Sequence, residues 1–535
     1  MTRSRLVLAA ILVLAVGVAC LIKWGTDDAY ISFTYARSLV RGDGLTWSGE
    51  HVEGYTNFGW VLWIAGGIAA GADPLVWAWA GSLGALALAI AATHAAVRLR
   101  SGSAVTAACT AGLLATNFTC LAFATSGLET MLQTALLAVA WWQVEVVRRE
   151  PPTPRRLARL SLVCALAIWT RLDSAVICAV LAVIAGHRLV RARVAARVWL
   201  AAIAPAAVLV GGWLGWKLAY YGDVLPNTFH AKVGLSAPTV IHGAAYTAAF
   251  LHAYLLWPFL IAVAAIAVAR RRFGHGVPAA LCGAWLAYVV LVGGDFMEFR
   301  FFVPILPAMF TMIAEALTGD PVPARVPPAG LRAIAVVGLC TALSWRHAAA
   351  FDAVSEDRSY DSVRAMATFY GMLPDEAWER PGLALREGLA GSGATLACNG
   401  AGAIPYFADL PTVDQLGLND AWVARHGVRP PASYVRPGHQ RFATYDYLVA
   451  RKVSFVLGSP IVIRPGALTA SRDNHAPDRW LAAFLGYAAR PVSRLVVVAV
   501  PLDDRRALVM WYLTPTEAIT ARIRAAGWEM RELVR

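Results

Sequence analysis

The segment "LVLAAILVLAVGVACLIKWGTDDAYISFTYARSLV", Leu6–Val40, joins a membrane-like run to a pair of acids. Residues 6–22 carry no polar side chain, and a helix of about 20 apolar residues crosses a bilayer. Just beyond Lys23 stand two adjacent carboxylates, Asp27 and Asp28. Arg3 and Arg5 precede the run as they would in a secretory leader, but no small-residue cleavage site stands before Lys23. An uncleaved first span is therefore expected. Carboxylates at the lip of a membrane are partly desolvated, which raises their pKa and makes them better bases.

The pattern of the first run recurs. Of 535 residues, 58% are hydrophobic and 15% charged, where a soluble chain carries about 25% charged residues. Eleven spans are predicted, at 6–24, 74–97, 103–122, 126–147, 157–172, 174–190, 198–220, 245–270, 277–293, 301–318 and 329–348. The stretch 58–73 is apolar but short and ends in "GADP"; it is either a further span or an interrupted helix along the outer face. Arginine clusters at Arg98/Arg100, 148–156, 187–197 and 270–272 assign one set of loops to the cytoplasm. The other loops hold acids, Asn, His and single cations, and fall outside with the "DDAY" segment. The net charge of +13 is thus topogenic, and no nucleic-acid partner is expected. None of the eight cysteines forms a CxxC pair, which argues against a zinc site and a disulfide framework.

Two parts follow: a helical membrane domain over 1–350, with a first external loop at 25–57, and a soluble domain over 351–535. In the latter, strand-like stretches at 394–398, 453–458, 494–500 and 507–513 alternate with helical patterns at 361–372, 476–488 and 516–527, an α/β reading. By parity this domain is extracytoplasmic. The glycine-rich "GSGATLACNGAGAIPYFADLPTVD" (391–414) lacks the GxGxxG spacing and reads as a Rossmann-like turn without nucleotide, positioning an acceptor.

The loop "DDAYISFTYARSLVRGDGLTWSGEHVEGYTNFGW" (27–60) resembles the first external loop of GT-C membrane glycosyltransferases, in particular the mycobacterial terminal β-(1→2) arabinofuranosyltransferases and their bacterial relatives. "SGLETML" (126–132), "TRLDS" (170–174), "YYGDVLPNTFHAKVG" (220–234), "GGDFMEFRFFVPILP" (293–307), "DQLGLND" (414–420) and "RPGHQ" (436–440) extend the resemblance to about residue 445. It implies a polytopic GT-C fold with a C-terminal extracytoplasmic α/β domain, in a bacterial cytoplasmic membrane. It also implies an inverting transferase that moves a sugar, arabinofuranose by this resemblance, from a polyprenyl-phosphate donor to a glycan acceptor. Asp27 or Asp28 then acts as the base. "TRLDS" departs from the family pattern, so no role is carried over to Asp173.

The departing phosphate needs cations beside it. Lys232, Arg300 and Arg171 are the candidates, with Asn227 and His230 for phosphate or sugar hydroxyls and Tyr55 and Asn57 facing the same cavity. Glu53, Asp295 and His439 are candidates toward the acceptor; Trp47 is either a sugar platform or an interfacial anchor. Asp27, Asp28 and Glu53 offer hard oxygens for Mg²⁺, Mn²⁺ or Ca²⁺. Three alternatives remain at this level: a flippase of polyprenyl-linked sugars, a scaffold that binds glycan, and the same chemistry with mannose or a protein acceptor. The flippase is disfavoured because the polar residues sit in external loops rather than at the midplane of paired repeats.

Overall fold

The computed structural model describes residues 3–534 apart from 233–235, 270–275, 320–326, 351–359, 371–377, 432–433, 467 and 469–476. The arginines at 270–272 and the domain boundary at residue 351 lie outside the described residues.

The chain begins with α1 (Arg3–Leu21), α2 (Asp27–Arg41), α3 (Phe58–Ala69), α4 (Pro74–Ser101), α5 (Ala104–Thr116), α6 (Phe118–Ala122), α7 (Thr130–Arg149) and α8 (Pro154–Thr170). It continues through α9 (Ala175–Arg191), α10 (Ala196–Tyr221), α11 (Asn227–Lys232), α12 (Ala237–Ala253), α13 (Leu256–Ala269), α14 (Gly276–Val292), α15 (Leu306–Thr318) and α16 (Ala329–Ala350). Local chemistry sets many of these ends. Asp73, Ser103, Thr153 and Ser236 cap α4, α5, α8 and α12, with proline in the first turn of α4, α8 and α12, where its missing N–H costs nothing.

Among the described residues seven helices are long and apolar enough to cross a membrane, or eight if the bent pair α12–α13 counts as one. The other predicted spans form shorter helices: α5 has 13 residues, α8 and α14 have 17 each. The predicted span over 245–270 falls on two helices meeting at 88°, with the break where Leu255 adopts a positive φ of 48°. The first part of predicted span 301–318 is a 3-10 turn, Arg300–Ile305, around Pro304. Helix α3 has 12 residues, about 18 Å at 1.5 Å per residue, and packs on α2, α4 and α8. Exposed Leu, Ile and Val on α1, α9, α10 and α16 present the apolar surface that lipid requires.

Charge sorts to the two ends of the bundle. At one end the buried Glu145 of α7 meets Arg100, Arg148 and Arg149, and Arg100 also binds Glu315 of α15 at 2.7 Å. At the other end tryptophan indoles hold irregular backbone: Trp24 donates to Ala122 O, Trp60 to Gly127 O, and Trp79 to Trp24 O and Thr125 O. That staples the 123–129 loop beneath α2 and satisfies carbonyls that its irregular backbone would otherwise leave without donors.

The C-terminal part is a mixed six-stranded sheet of β1 (Leu396–Cys398), β2 (Thr412–Asp414), β3 (Phe455–Ile463), β4 (Arg494–Pro501), β5 (Ala507–Tyr512) and β6 (Glu529–Val534). Its order is β2-β1-β3-β5-β4-β6, with β1 parallel to β2 and β3 and the remaining pairs antiparallel. Leu396, Phe455, Leu457, Val498, Leu508 and Met510 join the core on one face, while Ala397, Val456, Val497, Val509 and Trp511 join the other. That period of two is what strands buried on both faces require. The helices are α17 (Val363–Tyr370), α18 (Glu379–Leu389), α19 (Ala403–Ala408), α20 (Ala421–His426), α21 (Tyr445–Ala450), α22 (Pro477–Leu485) and α23 (Glu517–Ala525). Strands β2 and β6 and the short helices α18 to α21 were not among the sequence expectations.

Candidate active site

A cavity of about 350 Å³ opens where the polar end of the bundle meets the sheet domain. Helix α2 supplies Asp28, Ile31 and Ser32, and the rest of the first loop supplies Gly54–Asn57. Glu129, Arg171 and Asp173 enter from the ends of α7, α8 and the turn before α9; Lys232 enters from α11, and Asp295 and Arg300 from the loop after α14. The sheet domain adds Leu418 and Pro437, while Leu128, Leu172, Phe229, Tyr288, Val292 and Phe301 make one side apolar.

Most charges in this lining are already matched. Arg300 Nε donates to Asp295 Oδ2 at 2.6 Å. Arg171 binds Glu129 and Asp173, each at 2.7 Å. Asn57 donates to Glu129 at 2.7 Å and to Ser32, and Gln133 and Tyr288 donate to Asp173. Two groups stand apart. Among the described residues neither Asp28 nor Lys232 has a hydrogen bond or an ion pair. Burial raises the Asp28 pKa, with Lys232 and then Arg300 opposing it. Burial likewise lowers Lys232, and Asp28 is the strongest influence holding its charge. The cavity therefore holds a carboxylate and an ammonium that act on each other through space without a hydrogen bond or ion pair among the described residues, beside arginines fixed on acids.

Asp27, one residue earlier, has another environment. Successive helix residues point about 100° apart, and the Asp27 carboxylate turns to the sheet domain. Oδ1 accepts from Ala403 N at 2.6 Å and Oδ2 from Gly402 N at 3.2 Å. The side chain is 4% exposed, and burial pushes its pKa up to about 7. Within the glycine-rich stretch 391–414 the backbone N–H groups of Gly402 and Ala403 are thus taken by Asp27.

Most of the other candidates lie outside the lining. Glu53 is buried against Lys217 Nζ at 2.8 Å. Asn227 donates to Gly417 O at 2.8 Å and Leu418 O at 3.0 Å, holding the 414–420 loop. His230 pairs with Asp223 at 2.8 Å. His439 packs its ring 5.4 Å from Phe296, and burial, with Arg436 and Lys232, lowers its pKa to about 3. Trp47 is buried and donates to Thr412 O at 2.8 Å, so it serves as a docking residue and offers no sugar platform. Tyr55 reaches the cavity while bonding Tyr221 at 3.1 Å.

The oxygens considered for a divalent cation do not converge. Asp27 faces Gly402 and Ala403, Glu53 faces Lys217, and only Asp28 faces the cavity. Among the described residues no group of three His, Cys, Asp or Glu side chains is placed to hold a metal. Glu129 and Asp173, not selected from the sequence, do line the cavity; each is an acid at the mouth of an apolar helix, a placement that marks functional candidates.

The family described as "Domain of unknown function (DUF8728)" matches residues 375–499, within the sheet domain. The terminal beta-(1->2)-arabinofuranosyltransferase of Mycobacterium tuberculosis (strain ATCC 25618 / H37Rv) is 28% identical over 272 residues, 47% of this chain and 42% of that protein. The chain therefore covers less than half the length of this curated relative. Among solved structures, ArnT from Cupriavidus metallidurans bound to undecaprenyl phosphate aligns with a TM-score of 0.55 at 13% identity, over 96% of this chain and 98% of that one. Archaeal oligosaccharyltransferase AglB from Archaeoglobus fulgidus, in complex with an inhibitory peptide and a dolichol-phosphate, aligns at 0.51 with 11% identity, over 85% and 69%. At such identities the likeness is one of fold. The chain is a polytopic membrane protein of the GT-C fold, carrying a C-terminal sheet domain against its polar end.

Proposed function

We propose that this chain is an inverting glycosyltransferase that moves a sugar from a polyprenyl-phosphate donor to a glycan acceptor, on the outer face of the cytoplasmic membrane. One observation carries the reading: within a single cavity, Asp28 and Lys232 are the charged groups without a hydrogen bond or ion pair among the described residues. The GT-C fold and the polyprenyl phosphates in the two structural neighbours support it.

In this reading Asp28 takes the proton of the acceptor hydroxyl as that oxygen bonds to the anomeric carbon. The bond from that carbon to the phosphate oxygen breaks on the opposite face, and the polyprenyl phosphate leaves with the electron pair. Lys232, Arg300 and Arg171 face the negative charge as it develops, in a partly dry site where fixed cations act strongly. The apolar wall of Leu172, Phe229, Val292 and Phe301 suits the first isoprenyl units. Tyr55 and Asn57 face the donor sugar, Asp295 holds Arg300, and residues 351–535 form the extracytoplasmic domain. Arabinofuranose is the sugar we propose, on the strength of the mycobacterial relative.

The test uses the full chain in lipid nanodiscs, with polyprenyl-phospho-arabinofuranose and an arabinan oligosaccharide. Product should form, and Asp28→Asn should lower kcat by roughly 10²–10⁴-fold, the usual worth of a general base, while polyprenyl phosphate still binds. Wild-type turnover in Asp28→Asn would overturn the assignment.

A further inference from the structure

Two adjacent acids open α2, and their surroundings divide the work between them. We propose that Asp27 is a positioning residue: through its carboxylate the Gly402–Ala403 turn of the sheet domain fixes the first turn of α2 and so aims Asp28 into the cavity. The inference rests on reading Asp28 as the base.

The start of α2 lacks the usual local restraint. Its cap residue, Thr26, makes no side-chain capping bond, and its buried hydroxyl has no hydrogen-bond partner among the described residues. A helix without a side-chain cap loses about 1 kcal/mol and frays at that end. What holds this end is tertiary: Thr26 N donates to Ser126 O at 3.0 Å, and both Asp27 oxygens receive backbone N–H groups from residues 402 and 403.

The approach is close enough to require glycine. A β-carbon built on Gly402 would stand 1.9 Å from Asp27 O and 2.5 Å from its carbonyl carbon. The seam continues along α2, where Arg37 donates to Tyr406 O at 2.7 Å and Tyr30 lies 5.3 and 5.2 Å from the rings of Tyr406 and Phe407. Helix α19 thus backs α2 on the side away from the cavity, and β1 and β2, which flank α19 in the chain, anchor it in the sheet. Displacing the first turn would carry Asp28 with it, and a shift near 1 Å in a reacting group can cost roughly 10²-fold in rate.

Three variants of the full chain in nanodiscs test this. Asp27→Asn keeps the shape but turns an N–H toward an N–H; Gly402→Ala forces the seam apart by sterics alone. Both should lower kcat roughly 10–100-fold, with donor KM and the Kd for polyprenyl monophosphate within about 3-fold of wild type. The acid limb of kcat should move to lower pH, because a loosened Asp28 gains water. Should Asp27→Asn fail to bind polyprenyl monophosphate, Arg37→Ala, which loosens the same seam further along, should give the same split. Wild-type kcat and pH profile in these variants, with Asp28→Asn inactive, would overturn the positioning role alone. Full activity in Asp28→Asn would instead overturn the base assignment on which it rests.

Discussion

Lys232 at the end of α11 lies beneath Gly438 of the "RPGHQ" loop: a β-carbon built on Gly438 meets Lys232 Cε at 3.5 Å and Nζ at 3.9 Å. The sheet domain therefore roofs the one cavity cation that has no hydrogen bond or ion pair among the described residues. A charged hydrogen bond to phosphate contributes about 1.5–3 kcal/mol, so Lys232→Ala should raise the Kd for polyprenyl monophosphate roughly 10–100-fold. Gly438→Val should weaken the same binding by a smaller factor, since it crowds the lysine stem at a φ of +88° where side chains are strained. Isothermal titration reads both; an unchanged Kd in Lys232→Ala would remove the phosphate role.

Arg171 plays a different part from Lys232. Its guanidinium joins Glu129 to Asp173, all three largely buried. Removing one member of such a network leaves an uncompensated buried charge, at about 3–5 kcal/mol. Arg171→Ala strands two carboxylates, whereas Glu129→Gln leaves the arginine its second acid. Thermal unfolding in detergent should therefore fall further for Arg171→Ala than for Glu129→Gln. The reverse order would mean that the arginine is held chiefly by something other than these acids.

Much of the architecture was legible because membranes impose a coarse code. Each predicted apolar run meets a helix, and the arginine-rich turns at Arg100 and Arg148–Arg149 gather at one end while Asp28, Lys232 and Asp295 gather at the other. Length was less legible: α5, α8 and α14 are shorter than a full span, and hydropathy carries no mark of the bend at Leu255. Type and motif brought Asp28, Lys232, Arg300, Arg171, Asp295, Tyr55 and Asn57 to the cavity. They could not distinguish Asp27 from Asp28, because the difference lies in a contact with residues 402 and 403, far along the chain. Nor could they place Asn227, His230 and Glu53, whose partners Leu418, Asp223 and Lys217 were not evident from the local sequence. Strand β2, three residues long and buried throughout, has no alternation to read.

Asn227 sits at one such long-range join. Its amide donates to the carbonyls of Gly417 and Leu418, and Leu418 forms part of the cavity wall. Asn419 of the same loop accepts from Tyr35 OH at 3.2 Å, tying the loop to α2 as well. Asn227→Ala leaves partly buried carbonyls without their donor, a loss of about 1–3 kcal/mol. It should lower the unfolding temperature and raise KM for the acceptor more than for the donor, because the wall that moves belongs to the sheet domain. Equal changes in both KM values would place Leu418 outside the acceptor path.

Stability and activity should respond to pH in opposite directions. Burial raises Asp27 and Glu53 to about 7 and Asp414 to about 6, from ordinary values of 3.8, 4.5 and 3.8. Between the ordinary and the raised values the folded chain binds more protons than the unfolded one. The slope of unfolding free energy against pH is then negative. The stabilising contribution of these three acids is complete below pH about 4 and disappears as pH rises through 6 to 7. Asp223 and Asp409, lowered from 3.8, act the other way only below that window, whereas His439, lowered from 6.5 to about 3, opposes the three acids within it and offsets part of their effect as pH falls below 6.5. A carboxyl pKa raised by one corresponds to about 1.4 kcal/mol, so the unfolding temperature in detergent should be measurably higher at pH 5 than at pH 7.5. Asp27→Asn should flatten that dependence. Turnover needs Asp28 ionised and, with its pKa raised by burial, should fall with acidification starting at a higher pH than an ordinary carboxylate would set. An unfolding temperature that rises from pH 5 to 7.5 in the wild type would contradict the burial of these carboxylates.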